Sequence, residues 1–203
     1  METVSPSAGR PRTFDTGRVI EVAVESYWTD GVEGVSLNEI CRRAGVSKPG
    51  LYREFGGEDG LMDAALAHYA ESVLAPNFAN IAGDSSLADV LATMIEFMVD
   101  VDRSGPVGCL LANMRQMPDR LGPATRTRVA DLRQQSRSSY ATWVERAKET
   151  GEVPSIISTD VAVALIDFQL TNLLVQIALG EDPDLLQAQA KLSFAGLTGC
   201  GAD

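Results

Sequence analysis

The 203-residue chain has little of what an enzyme or a metal protein requires. It carries one histidine, His68, so no histidine pair can hold a metal, and no Cys/His cluster occurs. There is no nucleophile elbow and no glycine loop placed to cradle phosphate after a strand. Cys41, Cys109 and Cys200 are odd in number, widely spaced and free of C-x-x-C pairs, which suits reduced thiols better than a disulfide framework. The first residues, METVSPSAGRPR, lack the apolar run of a secretory leader, and a cytoplasmic protein is expected. The most hydrophobic stretch, Val161 to Leu179, contains Asp167, Gln169, Asn172 and Gln176, and reads as a buried helix with no membrane partner. Cations are also scarce: 17 Lys and Arg stand against 28 Asp and Glu, a formal charge of -11. That balance opposes nucleic-acid binding, which rests on neutralising phosphates.

The acidity is unevenly spread. Met1 to Gly56 holds seven basic and eight acidic residues, so the excess lies in the remaining three-quarters of the chain. A cluster of cations in the N-terminal part can still face DNA. Hydrophobic residues make up 45% of the sequence, enough for a sizeable core. Strand alternation is nearly absent and helical periodicity is pervasive, which predicts an all-α fold of about nine helices. Three regions are expected: a flexible basic arm over 1–12, a helix-turn-helix domain over 13–57, and a larger helical ligand-binding and dimerisation domain over 58–203.

In the N-terminal region, a helix over 15–30 has an apolar stripe of Val19, Ile20, Ala23, Val24 and Tyr27 and stops at Gly31. A second begins at Ser36, where Ser36-Leu37-Asn38-Glu39 reads as a reciprocal capping box, and ends at Ala44-Gly45. A third begins at Ser47, tolerates Pro49 in its first turn, and ends near Phe55. The short Gly45-Val46-Ser47 connection is the turn that a helix-turn-helix requires. With Ile40 and Leu51 facing inward, Lys48, Pro49, Gly50, Tyr52 and Arg53 remain outside on the third helix. Ser36 and Ser47 open helices whose N–H groups can meet phosphates. On spacing alone, an ordinary αα-hairpin fits equally well.

The stretch Phe14 to Tyr69, FDTGRVIEVAVESYWTDGVEGVSLNEICRRAGVSKPGLYREFGGEDGLMDAALAHY, resembles the N-terminal domain of the TetR/AcrR family of transcriptional regulators. The resemblance rests on the first-helix pattern ending in Gly31, Val35-Ser36-Leu37, Ile40, Ala44-Gly45-Val46-Ser47, and Leu51-Tyr52 followed by Phe55. It implies a ligand-responsive repressor that is not an enzyme and needs no cofactor. Its implied partners are double-stranded operator DNA, a second copy of the chain and a small apolar effector. By the same resemblance, Lys48, Gly50 and Tyr52 match DNA-contacting positions and Ser36 a phosphate contact, while Arg53 replaces a more usual His. Glu58 stands where relatives often place a lysine near the backbone, and that contact is not carried over. Arg10 and Arg12, in Gly-Arg-Pro-Arg, are candidates for a narrow minor groove.

Beyond residue 75 the resemblance fades. Leu165, Leu170, Leu174, Ile177, Leu186, Leu192 and Phe194 are expected at a dimer interface built from the last two helices. Met94, Phe97, Met98, Met114, Met117, Tyr140, Trp143 and Phe168 are candidates for an adaptable apolar pocket. Asn113, Arg115, Gln169 and Asn172 are candidate polar anchors. Cys109 resembles a cysteine that senses oxidants or electrophiles in one branch of the family, and a thiol at a helix start can have a lowered pKa. Two alternatives stay open: a redox-sensing repressor acting through Cys109, and a helical interaction module without DNA binding.

Overall fold

A computed structural model describes residues 14–81, 85–100 and 106–198. The arm with Arg10 and Arg12, and Cys200, lie outside the described residues. Among those described there are nine helices and no strand.

The first three helices are short, and local chemistry sets each boundary. In α1 (Thr16–Thr29) the Asp15 carboxylate accepts the Arg18 N–H, and the chain turns after Asp30 at Gly31, with φ 77°. In α2 (Leu37–Ala44) the Ser36 hydroxyl accepts the Glu39 N–H, and Gly45 closes the helix at φ 70°. In α3 (Lys48–Phe55) Ser47 caps Gly50, Pro49 lies in the first turn, and Gly56 ends the helix at φ 75°. Side-chain caps satisfy N–H groups that have no partner inside a helix, and glycine enters the left-handed region without Cβ strain.

The next helix is long and irregular. α4 runs as Glu58–Tyr69, continues through a π turn at Ala70–Leu74, and resumes as Ala75–Ile81. Pro76 therefore lies inside this helix and does not end it. Proline lacks the N–H that would bond to Ser72, and its ring crowds that carbonyl. The π turn just before it shifts the register and lets the helix go on. The remaining helices are α5 (Leu87–Val99), α6 (Leu110–Arg115), α7 (Pro123–Glu149), α8 (Thr159–Ala178) and α9 (Pro183–Ala195). A 3-10 turn at Pro118–Arg120 follows α6.

Two apolar cores result. The first gathers Val19, Ala23, Tyr27, Ile40 and Leu51 with Leu61, Leu66 and Tyr69 of α4 and Leu110 and Met114 of α6. The second joins α5, the C-terminal half of α7, α8 and α9 around Leu91, Ile95, Val144, Ile166 and Leu170. Polar contacts fasten α4 to α7. Asp59 accepts the backbone N–H groups of Ala124 (2.9 Å) and Thr125 (3.0 Å) and the buried Thr125 hydroxyl (2.7 Å). Burial raises the Asp59 pKa, but the Thr125 and Ala124 hydrogen bonds, with Arg126 nearby, outweigh it and hold the carboxyl below its usual value. Four residues on, Asp63 takes Arg128 in a two-point pair at 2.8 and 3.1 Å.

α8 is the one helix among the described residues long and apolar enough to cross a bilayer, with a mean hydropathy of 1.7 over its best window. Its apolarity has two destinations. Ala162, Ile166, Leu170 and Leu173 are buried in the second core, while Val161 and Phe168 face outward.

Candidate nucleic-acid interface and effector cavity

The outer face of α3 is polar, cationic and accessible. Lys48, Pro49, Tyr52 and Arg53 are exposed, and the Lys48 ammonium lies 5.9 Å from the centre of the Tyr52 ring. Ser36 and Ser47, at the two helix starts, are exposed as well. Gly50 is a correction. It was expected outside, but it is buried: a Cβ there would meet Ser47 Oγ at 3.1 Å and the Phe14 ring at 3.3 Å. Its place is the seam where α3 packs on the start of α1, beside the Phe14–Phe55 ring contact.

The capping box is also corrected, because Glu39 does not reach back to Ser36. Its carboxylate accepts Arg42 Nε (2.8 Å) and Nη2 (2.6 Å) and Arg43 Nε (2.9 Å). Those hydrogen bonds, Arg42 first and then Arg43, lower its pKa to about 2. Arg43 is engaged further by Asp30 (2.6 Å) and Ser26 (3.1 Å). The two cations ending α2 are thus committed to intramolecular pairs, and Lys48 and Arg53 remain as the cations of the outer face. At the start of α4, Glu58 is exposed, and its neighbour Asp59 is turned away to α7.

The main apolar cavity, about 330 Å³, lies where the two cores meet. It is lined by Trp28 of α1, by Tyr69 just before the π turn and Leu74 at its end, by Phe78, and by Met94 and Met98 of α5. Phe97, Cys109 and Leu174 are also on its wall. The Trp28 indole N–H is buried, with no hydrogen-bond partner among the described residues. A smaller chamber of about 70 Å³ shares Leu74, Phe78, Met94, Met98, Cys109 and Leu174 and ends in Arg115, Arg133, Tyr140, Asp167 and Thr171.

The expected pocket residues therefore divide. Met94, Phe97 and Met98 line the main cavity and Tyr140 the chamber. Trp143 stacks on Phe78 but faces a separate cleft beside Glu152. Met114 is fully buried in the first core, and Met117 packs against that core. Asn113, Gln169 and Asn172 are half-buried and line neither chamber, and Phe168 is 67% exposed. Burial raises the Tyr140 pKa, and the Asp167 charge adds to the rise. Trp28, Tyr69 and Phe78 were missed. The one sequence signal for them was Pro76 inside an otherwise helical pattern, which marks the joint they surround.

The expected dimer residues divide too. Leu170, Ile177, Leu186 and Phe194 are buried within the chain's own second core, and half-buried Leu174 lines the cavity. Leu165 is half-buried, and Leu192 is exposed on an outer face shared with Val161, Phe168, Leu179 and Leu185. An all-apolar helix leaves its inner and outer sides indistinguishable in sequence, which is why the assignment to faces failed.

Comparison with known proteins agrees with this architecture. Residues 19–65 match the family model of bacterial regulatory proteins of the tetR family. Residues 84–192 match the tetracyclin repressor-like C-terminal domain. The chain is 31% identical over 117 residues to the HTH-type transcriptional repressor ComR of Escherichia coli K12, a match spanning 55% of each protein. It is 24% identical over 149 residues to the uncharacterized HTH-type regulator YezE of Bacillus subtilis, covering 71% of this chain and 76% of that one. A solved structure of a cysteine-substituted form of the regulator CifR, complexed with 26-base-pair operator DNA, superposes with a TM-score of 0.77. It has 24% identity and covers 93% of this chain and all of the other. The second family model alone covers more than half of the sequence, and the chain belongs to the tetR family of bacterial regulatory proteins.

Proposed function

We propose that this chain is a transcriptional repressor that binds operator DNA as a homodimer and is released when a small, largely apolar molecule fills the cavity between the two cores. The observation that carries this reading is the make-up of the cavity wall. Trp28 belongs to α1 of the helix-turn-helix unit, and α4 contributes the residues around its π turn. A ligand that prefers one bend of α4 shifts the population of helix-turn-helix orientations by its differential affinity. The α3 face supplies the DNA contact, with Lys48, Tyr52 and Arg53 toward phosphates and base edges, and Arg10 and Arg12 extending it. Half-sites would lie one helical turn apart or a multiple of it. The exposed apolar side of α8 and α9, with Val161, Phe168, Leu185 and Leu192, is the surface offered to the second copy. ComR is named as a repressor, which supports that sense of regulation. The test is a gel shift on the DNA upstream of the chain's own gene. Met94→Trp, which fills the cavity from within, is expected to lower operator affinity about fivefold or more, a typical coupling energy. Unchanged affinity in a folded variant would refute the coupling.

A second reading uses Cys109 as an electrophile sensor. Its position on the walls of both chambers favours it, because a reactive molecule in either would meet the thiol. Cys109→Ser then abolishes release by an alkylating agent. Full release from that variant excludes the reading.

A further inference from the structure

The polar end of the small chamber carries more positive charge than the chain compensates. Among the described residues Asp167, 4% exposed, is its one acidic residue, and three guanidiniums converge on it. Arg115 reaches it at 3.0 and 3.2 Å, Arg133 at 2.9 and 3.1 Å, and Arg137 at 3.6 Å. Arg115 also donates to the Thr171 hydroxyl at 2.6 Å. A guanidinium has five N–H donors. Among the described residues these contacts occupy three on Arg115 and two on Arg133, leaving both with donors in excess.

The imbalance extends to the far side of the arginines. Arg115 and Arg133 also form part of an open groove of about 740 Å³ between α6 and α7, which Arg126 and Arg137 line as well. No acidic side chain lines that groove among the described residues. In a chain of net charge -11, this is a concentrated cationic patch. Arg115 and Arg133 therefore form a partition, with the groove on one side and, on the other, the small chamber that shares Phe78, Met94 and Met98 with the apolar cavity. Three cations around one partly enclosed carboxylate repel one another, and a second anion would relieve that repulsion. The fork of an arginine matches a carboxylate in two-point geometry.

We propose that the effector is an amphipathic organic acid, its carboxylate on Arg115 and Arg133 and its apolar body against Phe78, Met94 and Met98. The main cavity falls within the size range of small-molecule sites, about 300–1,000 Å³. Methionine and aromatic walls adapt to the body, and the arginines set the head group. The inference rests on the ligand-responsive reading above but fails separately from it.

The test uses the full-length protein and a matched pair of probes, 2-naphthoate and 2-naphthalenemethanol. They share an aromatic body and differ in the head group. Affinity is measured calorimetrically at pH 7, and release from upstream DNA by fluorescence anisotropy. The acid is expected to bind roughly tenfold more tightly than the alcohol, as hydrogen bonds to a charged group imply. Arg133→Met, which leaves Asp167 paired with Arg115 and Arg137, is expected to erase that preference while retaining the helical circular dichroism. The comparison of probes on the unaltered protein stands whether or not this variant folds. Equal or tighter binding of the alcohol, or no binding of the acid up to millimolar concentration, would overturn the proposal. An acid preference unchanged in folded Arg133→Met would overturn it too. Release by the alcohol alone would sustain ligand response and reject the anion. Binding of the acid without release would sustain the anion site and reject the regulatory coupling.

Discussion

Two arginine–carboxylate clusters in this molecule do different work. Near the helix-turn-helix, Glu39, Asp30, Arg42 and Arg43 form an open network whose side chains remain between a third and three-quarters exposed. Between α6, α7 and α8, Asp167 is nearly enclosed and draws in Arg115, Arg133 and Arg137. Exposed pairs are screened by water and contribute little to stability, whereas breaking an enclosed pair strands a charge. The first network withdraws two cations from the surface beside α3, the face proposed to meet DNA. The second fixes the relative placement of α6, α7 and α8 and sets the polarity of the chamber. Similar chemistry thus tunes a surface in one place and shapes an interior in the other, and burial decides which.

Breaking the enclosed cluster is expected to have the largest effect. Asp167→Ala should lower unfolding free energy by about 3–5 kcal/mol in denaturant titrations, the usual cost of removing one partner from a buried pair. Gly108→Ala follows, at roughly 2–3 kcal/mol, since its φ of 84° is strained for alanine and a Cβ would approach Ala178 Cβ at 2.8 Å. Asp59→Ala removes the side-chain cap of α7 and should cost about 1–2 kcal/mol. Gly122→Ala would place a Cβ 2.2 Å from Asp59 Cγ, so the two changes act on one contact and should be less than additive together. The pH dependence has a defined sign. The folded Asp59 pKa is depressed, so its contribution is present above its unfolded value and lost as pH falls through the folded one. Acid titrations of stability should therefore fall less below about pH 4 in Asp59→Ala than in the unaltered chain.

On the open side, stability and DNA affinity should separate. Lys48→Ala is expected to leave the melting temperature within about a degree, to weaken DNA binding about tenfold, and to reduce the salt slope by about one. The smallest signal is spectroscopic: the Glu39 carboxyl should titrate near pH 2 by NMR, and Arg42→Ala together with Arg43→Ala should return it toward ordinary glutamate behaviour.

The same contrast explains what could be read from the sequence. In α1 to α3 the determinants are local. Ser36 caps Glu39, Ser47 caps Gly50, and Gly45 and Gly56 take positive φ within a residue of the helix ends. Such signals fall inside a four-residue window, so the helix starts, the turn and the exposed Lys48, Tyr52 and Arg53 were legible. Gly50 was not, because its packing partner Phe14 lies 36 positions earlier. Around the cavity nearly every determinant is distant in sequence. Asp167 meets residues 34 and 52 positions away, and Asp59 meets Thr125 across 66. Met94 and Met98 could be suggested by type. Trp28 could not, since nothing local shows that α1 closes the far wall. Leu170 and Ile177 were indistinguishable from Val161 and Phe168 for the related reason that periodicity locates a face only when polar residues mark the opposite one.

Footprinting on the DNA upstream of the chain's own gene tests the account most directly, at low and moderate salt, with the oligomeric state fixed by sedimentation. The account predicts two protected major-groove segments, one helical turn or a multiple apart, both lost in Tyr52→Ala under conditions where that variant remains folded. An intact dimer that protects no segment at low salt, or one whose protection survives Tyr52→Ala and Lys48→Ala together, would contradict the assignment of the α3 face to DNA.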